Sequence, residues 1–240
     1  MSNSHKVNTM SEDKKISRSK FLSSMGALGV LGTVPFLATG CKEPMAQPVV
    51  FEGENQDAII KNIMSRRAIR KYTEQQPTQE QIDTIMKCAI HAPSSANGQP
   101  WEVRVILKPE MLKEINGRWV KENWSKKHTG LLAGHREEGF SIFYGAPVLI
   151  VISADPKNNK ARTDVGLMMQ NILLSAHALG LGTCPIGALV GTLSASENRD
   201  ILDVLNIPDG YEVMANVALG YPGQTPEATI RYSDKVKIIR

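Results

Sequence analysis

Nine consecutive residues near the middle of the chain, Ala146–Ala154 (A-P-V-L-I-V-I-S-A), form an unbroken apolar run. A strand with one wet face alternates apolar and polar residues, and this one does not, so it predicts a central strand buried on both faces. Arg162–Leu179 is the longest apolar helix, with Val165, Met168, Met169, Ile172, Leu173 and Ala176 at helical spacing, and Gly180 and Gly182 end it. A first helix is expected from Asp57, with Ile59, Ile60, Ile63 and Met64 on one face. Thr78 and Gln81 form a capping-box start for a helix carrying Ile82, Ile85, Met86 and Ala89, closed by Pro93. Further helices are expected over Glu110–Asn123 and from a Ser196 cap to Leu205, and strands over Glu102–Leu107, after Gly182 and over Tyr211–Leu219. Helices alternating with few strands, without internal repeats, describe one α+β domain.

Charge is distributed unevenly. The chain of 240 residues carries a formal net charge of +4 and a sequence pI near 8.9. Residues 1–48 hold six Lys/Arg against three acids, which leaves 22 basic and 21 acidic groups in the rest. The body is therefore near neutral and offers no basic face to a phosphate backbone, which excludes a nucleic-acid-binding module. With 42% hydrophobic and 22% charged residues the composition also excludes a disordered, collagen-like or multi-span membrane chain.

The excess charge belongs to a leader. Residues 14–20 (K-K-I-S-R-S-K) are basic, Phe21 to Gly40 carry no charge, and the small residues Ala38, Thr39 and Gly40 precede Cys41. A basic segment, an apolar stretch and a small-residue cleavage site describe an export signal. The stretch contains Gly26, Gly29, Gly32, Gly40 and Pro35, so a cleaved signal suits it better than a permanent span, with an uncleaved anchor or a disordered tail as the other readings. L-A-T-G-C resembles a bacterial lipobox that would lipidate Cys41, although Ala38 stands where that pattern places Leu. Ser17–Leu22 (S-R-S-K-F-L) is similar to a twin-arginine signal in which Ser19 replaces the second arginine. The expectation is export to the periplasmic side with a lipid anchor at Cys41, or a cytoplasmic protein if the signal does not function. Residues 42–56 read as a tether and 57–240 as the folded domain.

The other two cysteines, Cys88 and Cys184, are isolated among apolar neighbours and read as small core residues, with neither metal-ligand spacing nor a disulfide framework. His91 and His177 fall on helices and read as structural. Two segments can carry chemistry. Arg66, Arg67 and Arg70 place three guanidinium groups within five residues, beside Lys71, which suits either a chelated phosphate or a solvated charge run. Pro93–Trp101 presents Ser94, Ser95, Asn97 and Gln99 in a loop bounded by prolines, which suits either hydrogen bonds to a planar polar heterocycle or ordinary turn chemistry.

In combination these segments are more telling. S-R-R-A-I-R-K-Y, then A-P-S-S-A-N-G-Q-P-W, then Asp164–Thr183 (D-V-G-L-M-M-Q-N-I-L-L-S-A-H-A-L-G-L-G-T), C-P-I-G-A-L and I-P-D-G-Y-E-V…A-L-G-Y-P stand in this order from about Asp57 to Arg231. Together they resemble the nitroreductase family of flavin-dependent oxidoreductases. The resemblance implies an α+β fold with a central, mainly antiparallel sheet flanked by helices, an intertwined homodimer and two FMN sites at the interface. Arg66, Arg67 and Arg70 would grip the FMN phosphate and ribityl chain, with Ala68 where the family commonly has Ser. Asn97 and Gln99 would lie by the flavin, and Pro93, Ser94 and Ser95 would reach it across the interface. Pro185, Ile186 and Gly187 would pass the N5 edge with a backbone amide toward N5, and Arg231 would return to the phosphate.

The implied reaction passes hydride from NADH or NADPH through flavin N5 to an electron-poor small molecule such as a nitroaromatic, quinone or enone, and needs no catalytic side chain and no metal. Reductive dehalogenation is the alternative within the family. A flavin-binding lipoprotein without turnover, or an electron relay fed by a quinol or redox protein, is the alternative outside it. The charged and aromatic stretch from Trp119 to Tyr144 matches no family block and reads either as a cover over the flavin or as a surface helix pair with inward aromatics.

Overall fold

Four strands, β1 (Trp101–Ile106), β2 (Val148–Ala154), β3 (Gly182–Pro185) and β4 (Glu212–Gly220), form one antiparallel sheet in the order β1-β2-β4-β3. The computed structural model describes residues 53–240. Every residue of β2 is buried. Leu149 and Val151 enter one apolar layer, while Val148, Ile150, Ile152 and Ala154 enter the other. The first layer is completed by α3 (Pro109–Asn123), α5 (Ala188–Ser194) and α6 (Arg199–Val204), through Leu112, Ile115 and Trp119, Leu189 and Leu193, and Ile201 and Leu202. The second is completed by α2 (Gln79–Ile90) and α4 (Ala161–Ala178), through Ile85 and Ala89, and Val165, Met168 and Ile172. Unbroken apolar runs are the habit of parallel strands. An antiparallel strand carries one here because helices cover both faces and β1 and β4 cover both edges. Opposite β2, Met214 is left over where the register shifts between Ile152 and Ser153, a bulge that keeps the apolar side chains of β4 on their own faces on either side of it.

The capping box forms as the sequence indicates. Gln81 N donates to Thr78 Oγ1 at 3.2 Å and Thr78 N donates to Gln81 Oε1 at 2.9 Å. α1 (Glu54–Ser65) begins three residues before the apolar spacing marks it, because Glu54 and Asp57 in its first turn suit the positive end of the helix dipole. Its stripe of Ile59, Ile60, Ile63 and Met64 is 42–71% exposed, so among the described residues this face has no cover.

Three other expectations are corrected. Ser196 does not cap the expected helix: its hydroxyl turns to Glu197 at 3.2 Å rather than to the backbone, a 3₁₀ turn spans Ser196–Asn198, and α6 begins at Arg199. Cys88 is exposed, because the buried stripe of α2 runs through Ile82, Ile85 and Ala89 and leaves position 88 on its flank, while Cys184 is buried as expected. Residues 124–145 form no second helix. Glycines interrupt them, Gly130, Gly139 and Gly145 have φ of 59°, 80° and 70°, and the one helical piece is a 3₁₀ turn at Gly130–Leu132. Their aromatics still pack inward, Phe140 stacking on Trp119 at 5.6 Å and His135 meeting its edge at 6.3 Å.

Among the described residues no helix is long and apolar enough to cross a membrane. The leader, Cys41 and most of the tether lie outside the described residues.

Candidate functional site

After α1 the chain straightens at Arg66 (φ −57°, ψ 133°) and runs as an extended strip beside β3. Ala68 bridges Thr183 in parallel, and Ile69 N donates to Thr183 O at 2.9 Å. Further on, Thr73 N donates to Tyr221 O at 3.0 Å and Gly223 N to Lys71 O at 2.7 Å, so the strip is tied to the end of β4 as well. Gly182 permits this approach, because a Cβ there would stand 2.6 Å from Ile69 Cγ1. The Tyr72 hydroxyl donates to Ile69 O at 2.8 Å and holds the strip in place, and burial pushes its phenol pKa up.

An extended strip sends alternate side chains to opposite sides. Ile69 turns inward, and Arg66 and Arg70 both come near the Cys184 thiol, whose pKa burial raises while the two guanidinium groups oppose the rise. Arg67 turns back and donates from Nη1 to Met64 O at 2.7 Å and Arg66 O at 3.0 Å, so it closes the end of α1. Arg66 Nη1 is buried with no partner among the described residues, and burial, the neighbouring Arg67 and the more distant Arg231 all lower its pKa. Arg231 is exposed on the C-terminal segment and donates to Thr229 Oγ1, yet its charge reaches Arg66. Among the described residues none of these four arginines forms an ion pair.

A cleft of about 310 Å³ opens beside this cluster, lined by Ser65, Arg66, Arg67, His177, Thr183 and Gln224 among others, with no carboxylate among the described residues. A buried guanidinium nitrogen lacking an acceptor, crowded by like charge, costs free energy until an anion arrives. The cleft therefore fits the phosphate of FMN. His177, read from the sequence as structural, lies in its wall with Nε2 2.9 Å from Ser65 Oγ. His91 is structural, its Nδ1 2.7 Å from Lys87 O.

Pro185, Ile186 and Gly187 line a second cleft of about 290 Å³ together with Thr129, Leu132, Ile142 and Tyr144. Of the three residues only Gly187 can offer an amide. Proline has no N–H, and Ile186 N donates to Asn216 O at 2.8 Å. Tyr144 has φ 61°, a left-handed backbone that bulky residues avoid, and Arg70 lies 5.9 Å over its ring. The local signal for Tyr144 is the following Gly145 (φ 70°), which marks a tight turn before β2.

The loop with Pro93, Ser94, Ser95, Asn97 and Gln99 stands elsewhere. It leads into β1, at the opposite edge of the sheet from the arginine strip, and lines neither cleft. Ala96, Asn97 and Gln99 are all left-handed, with φ of 52°, 54° and 43°. The buried Asp164 carboxylate accepts the Ser95 N–H at 3.2 Å, and Ser94 Oγ accepts from Gln99 N at 3.0 Å. Strain held by such contacts is a common mark of a ligand-binding loop.

The sequence profile of the nitroreductase family matches residues 63–221, from the last turn of α1 to the end of β4. A protein of Archaeoglobus fulgidus named for NADH dehydrogenase or NAD(P)H nitroreductase activity is 32% identical over 174 residues, 69% of this chain and 86% of its own length. An FMN reductase [NAD(P)H] of Bacillus subtilis is 28% identical over 186 residues, 68% of this chain and 66% of its own. A Bacteroides fragilis nitroreductase solved with bound FMN superposes with a TM-score of 0.70 at 26% identity, over 76% of this chain and 98% of that one. The arginine strip along β3, the cleft beyond Pro185 and the matched span agree, and the chain belongs to the nitroreductase family.

Proposed function

We propose that this chain is an FMN-dependent NAD(P)H oxidoreductase that reduces electron-poor small molecules, with nitroaromatics, quinones and enones as the acceptor class. The observation that carries the reading is Arg66, charged among Arg67 and Arg231 with its buried Nη1 unpaired among the described residues, on the wall of a cleft to which those residues bring no carboxylate. FMN, when bound, would supply the redox chemistry that carries electrons from the nicotinamide to the acceptor.

The protein's part is binding and electrostatics. Arg66 and Arg231 neutralise the phosphate, and Arg67 sets the backbone of the strip by closing α1. Arg70, four residues on and on the same side, would stand at the ring end, where its guanidinium would balance negative charge near N1. Ala68 between them contributes only its backbone, so the hydroxyl contact common in the family is missing. Gly187 directs its amide toward N5. Tyr144 and the segment behind it wall the cleft in which nicotinamide and acceptor take turns, and its half-buried ring limits water there.

Pro93, Ser94, Ser95, Asn97 and Gln99 join the site from a second copy of the chain. Two features support a homodimer. The loop and the arginine strip lie at opposite edges of one sheet, and the apolar stripe of α1 is left uncovered by the described residues.

Anaerobic mixing of the yellow holoprotein with NADH or NADPH is expected to bleach the flavin absorbance, and a nitroaromatic or quinone to restore it. Purified protein that takes up no FMN would sink the assignment. Flavin that stays oxidised with both nicotinamides and is bleached by a quinol would move the donor to the membrane. That outcome bears on location, because the leader with its lipobox-like Cys41 supports export and anchoring on the periplasmic side, where soluble nicotinamide is scarce. Cys41→Ser is expected to release the protein from the membrane fraction of cells. Equal distribution of the variant and the wild type would remove the lipid anchor from the reading.

A further inference from the structure

We propose that His177, held by Ser65, is an additional ligand of the FMN phosphate and engages it as the imidazolium, so that FMN is retained more tightly as the pH falls. The inference rests on the FMN reading above and deepens it. Its geometry is independent of the arginine pattern. His177 lies in the last turn of α4, where the carbonyl end of the helix favours a cation. Its Nε2 is 2.9 Å from Ser65 Oγ, and both residues line the 310 Å³ cleft that Arg66 and Arg67 also line. When the ring is charged, Nε2–H donates to Ser65 Oγ and leaves the Ser65 hydroxyl proton free to donate into the cleft. One protonation thus adds both a charge and an oriented donor for an anion.

Among the described residues the charged groups around the ring have one sign. The end of α1 contributes Arg66 and Arg67, and the groove on the other side of His177 is lined by Lys61 of α1, by Lys87 of α2 and by His91 just after it. The segment after β4 brings Gln224 and Thr225, which are neutral. No described carboxylate lines either cavity. In the protein without a ligand, burial first and then Arg66 and Arg67 lower the His177 pKa, so at neutral pH the ring is uncharged. A phosphate placed among Arg66, Arg67 and His177 reverses the local sign and raises the same pKa. Binding then takes up a proton between the two values. The advantage from His177 is complete below the lowered pKa of the free protein and is lost as the pH rises through the raised pKa of the complex.

The test compares FMN dissociation constants of wild type and His177→Gln by flavin fluorescence quenching across pH, with riboflavin as the probe that lacks the phosphate. Glutamine keeps a donor for Ser65 and cannot take a charge. The variant is expected to bind FMN about tenfold more weakly than wild type near about pH 5.5 and about equally near about pH 8, with no such divergence for riboflavin. Because the phosphate of FMN has its own ionisation near about pH 6, the ratio between the two proteins is the quantity that decides. Identical pH profiles for the two proteins would overturn the role of His177 while leaving the FMN site intact, and so would an equal divergence with riboflavin. Wild type that binds no FMN at any pH would overturn the site itself. Should the variant fail to fold, calorimetry of wild type in buffers of different ionisation heat still decides. Net proton uptake on FMN binding near neutral pH is expected, and its absence would overturn the proposal.

Discussion

Replacing Arg66 and Arg70 together with alanine is expected to weaken FMN binding by about a hundredfold to ten-thousandfold. Hydrogen bonds to a charged group contribute about 1.5–3 kcal/mol each, and every 1.4 kcal/mol is about a tenfold change in affinity. The same double variant should fold as well as wild type. Arg66 Nη1 is buried without a partner among the described residues and is crowded by Arg67 and Arg231, and Arg70 is exposed, so neither side chain holds the apoprotein together. The two readouts therefore separate. Fluorescence titration should show the lost affinity, and thermal melting of the flavin-free protein should show an unchanged or raised midpoint. Undiminished FMN binding would disprove the clamp. A melting point well below wild type would show that the arginines are structural after all.

Trp119→Ala is expected to cost about 3–5 kcal/mol of folding stability, read as a lower urea midpoint. Trp119 is 2% exposed, lies 5.5 Å from the His128 ring, 6.3 Å from His135 and 5.6 Å from Phe140, and joins α3 to the segment that lacks a helix of its own. It also donates from Nε1 to Ala188 O at 3.1 Å, one residue past Gly187. The substitution therefore has a second consequence, a looser cleft at Pro185–Gly187, which a raised KM for the acceptor would report. Trp119→Phe keeps most of the buried area and loses that hydrogen bond. It should retain most of the stability and still show the raised KM. A loss under about 1 kcal/mol for the alanine variant would mean that the ring does not wedge the layer.

The residues that announced themselves in the sequence are those whose role depends on local pattern. β2 and α4 were legible because long apolar periodicity admits one placement each, and the Thr78–Gln81 cap because both partners lie within one turn. α5 was not, because G-A-L-V-G-T-L-S is a poor helix former and becomes helical by burying Leu189 and Leu193 against the sheet. Arg66 and Arg70 were legible as a cationic pair, whereas the turning back of Arg67 onto Met64 O depends on where α1 ends. That Ile186 has no amide to offer follows from its pairing with Asn216, and the place of His177 follows from Ser65, 112 residues earlier. Such partners are brought together only by the finished fold. The stripe of α1 shows the converse case, a correct period that no described residue covers.

The strip from Arg66 to Thr73 has one more consequence, for solubility. An antiparallel sheet ends in rows of unpaired backbone groups that invite strands from other molecules. By bonding to Thr183, and onward to Tyr221, the strip occupies the outer side of β3. Any change that pries it loose, such as bulk at Gly182, exposes a sticky border as well as scattering the cations. Loss of cofactor and clumping of the protein then become a single event, set off by the same few backbone bonds.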